Sequence, residues 1–277
     1  MRNIYKIREA SQMNKAQRLQ PRHPIQAGSG ILGGEKPMVC IPLVGKTREE
    51  ILSEAANVPA IAPDIIELRI DAWDFVEDIS ASVAMIEEVR KTVGELPVIL
   101  TCRGHWEGGF KKVSDGAKFG IYSAAVKAGL VNFIDVELIY GDEKLKEILS
   151  MLEGTKTSLI ISFHDFKKTP TREEIISILK QQIAAGAQVA KLAAMPLKEE
   201  DVLNVLSATL EVRRQFPCIP IITMSMGPLG AVTRLVGGLF GSDLTFAVGS
   251  KSSAPGQIPV AELRKCFEVV HPNHTEA

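Results

Sequence analysis

What most constrains the fold of this chain is a rhythm that begins after residue 37. Short apolar, β-branched runs alternate with longer stretches of helical character. The strand-like runs are MVCIPLV (38–44), DIIELRI (64–70), PVILTC (97–102), VNFIDVEL (131–138), TSLIISF (157–163), QVAKLA (188–193), IPIITM (219–224) and LTFAVG (244–249). They start roughly every 25 to 35 residues, the length of one βα unit. Helix starts are marked between them. TREE at Thr47–Glu50, and again at Thr171–Glu174, has the form of a capping box, with each glutamate placed to reach back over its threonine. The second box opens IISILKQQIAAG, whose glycine suits a helix C-cap. PLKEEDVLNVLSATLEVRRQF carries Val202, Leu203, Leu206 and Leu210 at helical spacing, and VAELRKCFEVV is a last helical run.

Eight strand–helix units predict a (β/α)8 barrel, the TIM barrel. A doubly wound open sheet is the rival. It calls for a glycine fingerprint after the first strand, and VGKT there is not one. IQAGSGIL (25–32) reads as a β-hairpin around Gly-Ser-Gly that plugs the barrel bottom. Residues 25–277 are thus expected to form one domain. Residues 1–24 are basic and polar and read as a flexible tail or leader. A transit-like peptide is the weaker reading there, and Met13 an alternative start.

Bulk properties exclude several classes of function. A formal net charge of −1 gives no nucleic-acid surface. No apolar run reaches the ~18 residues of a membrane span, and no secretory signal precedes the barrel. The four cysteines, Cys40, Cys102, Cys218 and Cys266, are scattered without a C-x-x-C pair. Reduced core cysteines in a cytoplasmic protein are the simplest reading.

One residue breaks the apolar pattern. In AQVAKLAAMP (187–196) a lysine, Lys191, sits mid-strand. Lysine is among the residues least often fully buried, and strand lysines commonly sit at edges or run their stems to solvent. The alternative is an apolar surround that favours the free amine, which attacks a carbonyl and forms a Schiff base. The other strand ends decide between these readings, because active sites of such barrels lie there. Strand two brings Glu67 and Arg69, two apart and therefore on one face. Strand three brings Arg103 and then Glu107, strand four Asp135 and Glu137, and strand five His164. Arg234 follows strand seven, and GSKSSAPGQ follows strand eight. The last is small, polar and glycine-containing, the composition of a loop able to close over a site. Branched apolar side chains ordinarily fill barrel interiors, so this many charges on one rim point to a site rather than to isolated ion pairs.

Residue types assign the chemistry. Lys191 is the amine nucleophile and His164 the proton shuttle at neutral pH. Glu107 or Glu67 holds the histidine ring, and the arginines match a substrate carboxylate. His105, in the loop after strand three, is a competing base whose plainer reading is an exposed loop histidine. His23, His271 and His274 lie in expected tails, so no zinc site is expected. Another Schiff-base barrel enzyme, an aldolase acting on sugar phosphates, stays open, with MGPLG and GSKSS as its phosphate cradle. A non-catalytic binding barrel would have no use for a buried lysine beside a histidine.

Six stretches in register, IIELRID, TCRGHWEGG, LIISFHDF, VAKLAAMP, TMSMGPLGAVTR and LTFAVGSKSSAPGQIP, resemble type I 3-dehydroquinate dehydratase, the Schiff-base class of that shikimate-pathway enzyme. The likeness runs from about residue 25 to about 270. It implies a (β/α)8 barrel with an N-terminal hairpin, often dimeric, that converts 3-dehydroquinate to 3-dehydroshikimate without metal or organic cofactor. By motif it implies Lys191 as the imine lysine, His164 as general acid and base, and Glu107 as its partner. Glu67, Arg69 and Arg103 resemble substrate-contacting residues, and Arg234, Gln257 and Ser253 a carboxylate clamp. Cys102 stands where an aromatic is expected, and His105 and Trp106 where small or basic residues are.

Overall fold

The computed structural model describes residues 18–249 and 254–271. The eight runs become eight parallel strands: β3 (Met38–Leu43), β4 (Ile65–Arg69), β5 (Val98–Thr101), β6 (Phe133–Glu137), β7 (Ser158–Asp165), β8 (Val189–Ala194), β9 (Ile221–Ser225) and β10 (Leu244–Val248). They pair in sequence order from β3 to β9, with β10 beside β3. The sheet closes because the Asp243 amide, just before β10, donates to the Ile221 carbonyl of β9 at 2.7 Å. The Ile221 amide returns a bond to the Asp243 carboxylate at 2.8 Å. A helix follows each strand, as a right-handed parallel connection requires. A two-residue strand, β11 (Ile258–Pro259), adds to the end of β10 and has no counterpart in the sequence reading.

Strand alternation builds two cores. Outward residues such as Ile66, Leu68, Leu100, Ile134 and Ile161 pack under the helices. Inward residues stack in layers. The lower layer is apolar: Cys40, Ile65, Ile99, Phe133, Ile160, Val189, Ile222 and Leu244. Each fully buried aliphatic side chain there contributes about 1.5–3 kcal/mol. The hairpin β1 (Ile25–Ala27) and β2 (Gly30–Leu32) turns at Gly28, φ 50°, and adds Ala27 and Leu32 to this layer. It plugs the barrel at the N-terminal ends of the strands. Two residues further along β4 to β8 the lining becomes polar, whereas β9 and β10 keep Met224 and Phe246 there.

The helix starts hold with two changes. Thr171 and Glu174 form the complete capping box. Thr47 caps the Glu50 amide, but the Glu50 carboxylate accepts from Lys46 instead of from Thr47. In the helix Glu199–Gln215 the buried face is Val202, Val205, Ala208 and Val212, whereas Leu203 is 63% exposed. The inward stripe follows the small and β-branched residues that fit against β8. Within the expected tail, residues 1–17 lie outside the described residues. Arg18 is buried, with its guanidinium on the Asp243 carboxylate and the Gly34 carbonyl.

Candidate active site

The alternation that makes the apolar layer also makes the site. Counting two residues beyond it along five successive strands gives Glu67, Thr101, Asp135, Ser162 and Lys191. Two further come Arg69, Arg103, Glu137 and His164. Glu67, Lys191, Arg69, Arg103 and His164 of these layers face a cavity at the C-terminal mouth, with the other four behind its lining. Glu67, Arg69, Arg103, Glu107, His164, Lys191, Arg234 and Gln257 all line it. Ser253 lies outside the described residues, as does the rest of 250–253.

Lys191 is buried at mid-strand, 3% exposed, so its stem does not reach solvent. The apolar surround expected of it is incomplete. Its Nζ stands 2.8 Å from Asp135 Oδ2 and 3.5 Å from Glu67 Oε1, and lies 4.7 Å from the centre of the Phe246 ring. Gln182, from the helix before β8, holds the Lys191 carbonyl at 2.8 Å. Asp135 is the hub of the wall. Its Oδ1 takes Arg103 Nη2 at 2.7 Å and the Ser162 hydroxyl at 2.6 Å. Burial pushes this carboxyl up, but Arg103 and Lys191 outweigh burial and hold it well below the usual carboxylate range. Glu67 also accepts the Thr101 hydroxyl at 2.9 Å.

His164 lies at the C-terminal end of β7, one residue before its last. Its amide and its Nδ1 both meet Glu107 Oε2, at 2.9 and 3.0 Å. Burial, then the charges of Arg103 and Lys191, push the imidazole well below its ordinary value. Burial pushes Glu107 up to about 8, with Arg103 opposing and Glu137 and Asp135 reinforcing. The two groups therefore share one proton at neutral pH and titrate as a pair. This differs from the expected ionised glutamate beside a near-neutral histidine, and desolvation of both groups is the reason. Glu107 lies on a short turn, His105–Glu107, capped by Gly108 at φ 84°. A Cβ on Gly108 would lie 2.3 Å from the Phe166 ring, so this turn requires glycine. His105 and Trp106 point outward from it and are exposed.

The arginines differ in what they face. Arg69 makes a fork onto Asp71, with Nε–Oδ1 at 3.0 Å and Nη2–Oδ2 at 2.9 Å. Arg103 bridges Asp135 and Glu137. Arg234 meets no carboxylate among the described residues: Nη1 bonds the Phe246 carbonyl at 3.1 Å, Nη2 the Pro255 carbonyl at 3.1 Å, and Nε has no partner. Burial pushes this guanidinium down to about 10. Such a buried fork facing a cavity fits a carboxylate ligand.

Sequence reading placed Asp135 and Glu137 on the rim but gave them no partner. It missed Asp71, Thr101, Ser162 and the buried Lys118 of helix Asp115–Lys127. The period-two spacing of Thr101 to Arg103 and of Ser162 to His164 carried the signal for two of these; Lys118 gave none.

The sequence profile described as type I 3-dehydroquinase matches residues 39–274. The 3-dehydroquinate dehydratase of Aromatoleum aromaticum is 40% identical over 244 residues, 88% of this chain and 94% of that protein. The crystal structure of 3-dehydroquinate dehydratase from Geobacillus kaustophilus superposes with a TM-score of 0.89 at 37% identity, covering 94% of this chain and 100% of that one. A type I enzyme from Clostridium difficile, solved with covalently modified comenic acid, gives 0.86 at 38% identity over 90% and 98% of the two chains.

Proposed function

The chain belongs to the type I 3-dehydroquinase family, and from that premise we propose that it dehydrates 3-dehydroquinate to 3-dehydroshikimate, the third step of the shikimate pathway, through an imine on Lys191. The observation that carries the residue roles is the convergence in one cavity of a mid-strand lysine, a histidine–glutamate pair and a buried arginine without a carboxylate partner among the described residues. Family membership also sets aside the sugar-phosphate aldolase reading.

Lys191 Nζ adds to the ring ketone, and the adduct loses water to give the imine. The imine draws electrons from the neighbouring carbon, and His164 takes the proton there. The pair acts from its form without the shared proton, so that as His164 becomes charged the Glu107 carboxylate at 3.0 Å balances it. The enamine electrons then expel the β-hydroxyl, which leaves as water on receiving the proton from His164. A second water hydrolyses the product imine and restores the amine, so the net change is loss of one water. Arg234, with Gln257 and Ser253, holds the substrate carboxylate. Glu67, Arg69 and Arg103 line the ring's path. No metal or organic cofactor enters this sequence of steps.

We assign the protein to the cytoplasm as a homodimer. The four cysteines are unpaired, and no helix among the described residues is long and apolar enough to cross a membrane. The dimer rests on the family resemblance, and light scattering at twice the chain mass supports it while a monomer mass rejects it. The activity itself is tested by following 3-dehydroquinate with the purified chain by proton NMR. Appearance of the conjugated enone supports it, and unchanged substrate rejects it.

A further inference from the structure

Among the described residues, Lys118 is one of the buried charges that lie outside the cavity and have no part in the mechanism above. Lys118, on helix Asp115–Lys127, is 2% exposed and does not line the cavity. Its ammonium lies on the Glu137 carboxylate and 4.5 Å from the centre of the Tyr140 ring. Phe119 and Tyr122 stand at 5.6 and 5.9 Å, so aromatic faces replace water around it. A lysine desolvated on a barrel helix requires a reason, since breaking such a pair leaves an uncompensated buried charge.

The reason lies in what Glu137 does with its other oxygen. Oε1 accepts Arg103 Nη1 at 2.9 Å and the Gly104 amide at 2.8 Å. Gly104 opens the turn that carries Glu107, and its carbonyl accepts the Glu107 amide at 2.9 Å. Arg103 passes on to Ser162 at 2.7 Å and to Asp135, which holds Lys191. A continuous chain of contacts therefore runs from Lys118 to both reacting groups, through charged side chains to Lys191 and through backbone bonds of the turn to Glu107 and His164. We propose that Lys118 is a positioning residue for the dehydration: by fixing and neutralising Glu137 it sets where Arg103 and the Glu107 turn stand, and through them Lys191 and His164. The proposal rests on the function given above.

Charge gives the distinguishing readout. The groups that face Glu107 and His164 are Arg103 just after β5, Asp135 and Glu137 from β6, Lys191 from β8 and Arg69 from β4. Around Lys118 itself stand Glu137, Cys102 and the Tyr122 and Tyr140 rings. Removing the Lys118 charge leaves Glu137 more negative beside the pair. Its proton is then held more tightly, and the pH–rate limbs move to higher pH.

The test compares Lys118→Met with the double variant Lys118→Met/Glu137→Gln in the full chain. Lys118→Met is expected to lower kcat about 10- to 100-fold through misplacement of the reacting groups. KM should stay within about twofold, and the limbs of the pH profile should move upward. The double variant removes both charges, so its limbs return to the wild-type positions while kcat stays low. Wild-type kcat in either variant overturns the proposal, as does a fall in kcat with unshifted limbs in Lys118→Met. If Lys118→Met does not fold, Lys118→Gln replaces it, with the same kcat and pH-limb outcomes. Absence of any borohydride-trapped adduct on Lys191 in the wild type would instead reject the underlying function, whatever Lys118 does.

Discussion

Replacing Glu107 by glutamine keeps the shape of the side chain and removes its charge. In the structure Oε2 lies 3.0 Å from His164 Nδ1. At an effective dielectric of about 20, a full charge pair at that distance is worth about 5 to 6 kcal/mol. Part of this is offset, because burial holds Glu107 protonated up to about 8, so ionising it at pH 7 costs about 1 kcal/mol. About 4 kcal/mol is left to stabilise imidazolium against carboxylate, roughly 10³ in rate if fully expressed. The proton is only partly transferred in the transition state, so kcat of Glu107→Gln should fall about 10²- to 10³-fold, within the usual range for general acid–base catalysis. The direction of the pH effect follows from the shared proton. In the wild type the pair keeps it until pH rises through about 8. In the variant only His164 holds it, and burial with Arg103 and Lys191 already pushes that ring below its ordinary value. His164 must be free of this proton to act as base, so the limb on which kcat rises with pH should move from about 8 to below about pH 6.5. The assay is the ultraviolet absorbance of the enone product across buffers from pH 5 to 9. A kcat within about threefold of wild type, or a rising limb left in place, would refute the reasoning.

His164→Ala should still form the imine but lose turnover about 10²- to 10⁴-fold, because nucleophile and clamp survive while the shuttle does not. Rapid mixing with substrate and borohydride should trap the adduct, and a variant keeping most of its activity would move the base to His105. Arg234→Ala removes a guanidinium whose partners are carbonyls and a thioether. It should raise KM more than it lowers kcat, as steady-state kinetics would show, and an unchanged KM would contradict the carboxylate clamp.

Much of the barrel was legible because its signals are local. Every strand-like run became a strand, and IQAGSGIL became the hairpin with its turn at Gly28. Period two told which strand residues face inward, so Glu67 with Arg69 and Asp135 with Glu137 could be placed before any coordinates. Partner choice was not legible, because it is set between strands far apart in sequence. Lys191 and Asp135 are 56 residues apart, and Arg103 and Ser162 are 59. The surroundings of Lys191 were therefore taken as more apolar than they are. Lys118 was invisible for the same reason: on its own helix it reads as a solvent-facing lysine, and only the packing of β6 against that helix buries it. Leu203 shows the converse, an apolar residue at helical spacing that the tighter stripe of Val205, Ala208 and Val212 leaves outside.

The central claim is that Lys191 carries the substrate as an imine. Incubating the wild-type chain with 3-dehydroquinate and sodium borohydride, followed by proteolysis and peptide mass mapping, tests it most directly. One ligand mass per chain is predicted, on the peptide holding Lys191, and none in Lys191→Ala, which should also lose turnover. Labelling of Lys118, Lys198 or Lys251 with Lys191 unmodified, or turnover in Lys191→Ala, would contradict it.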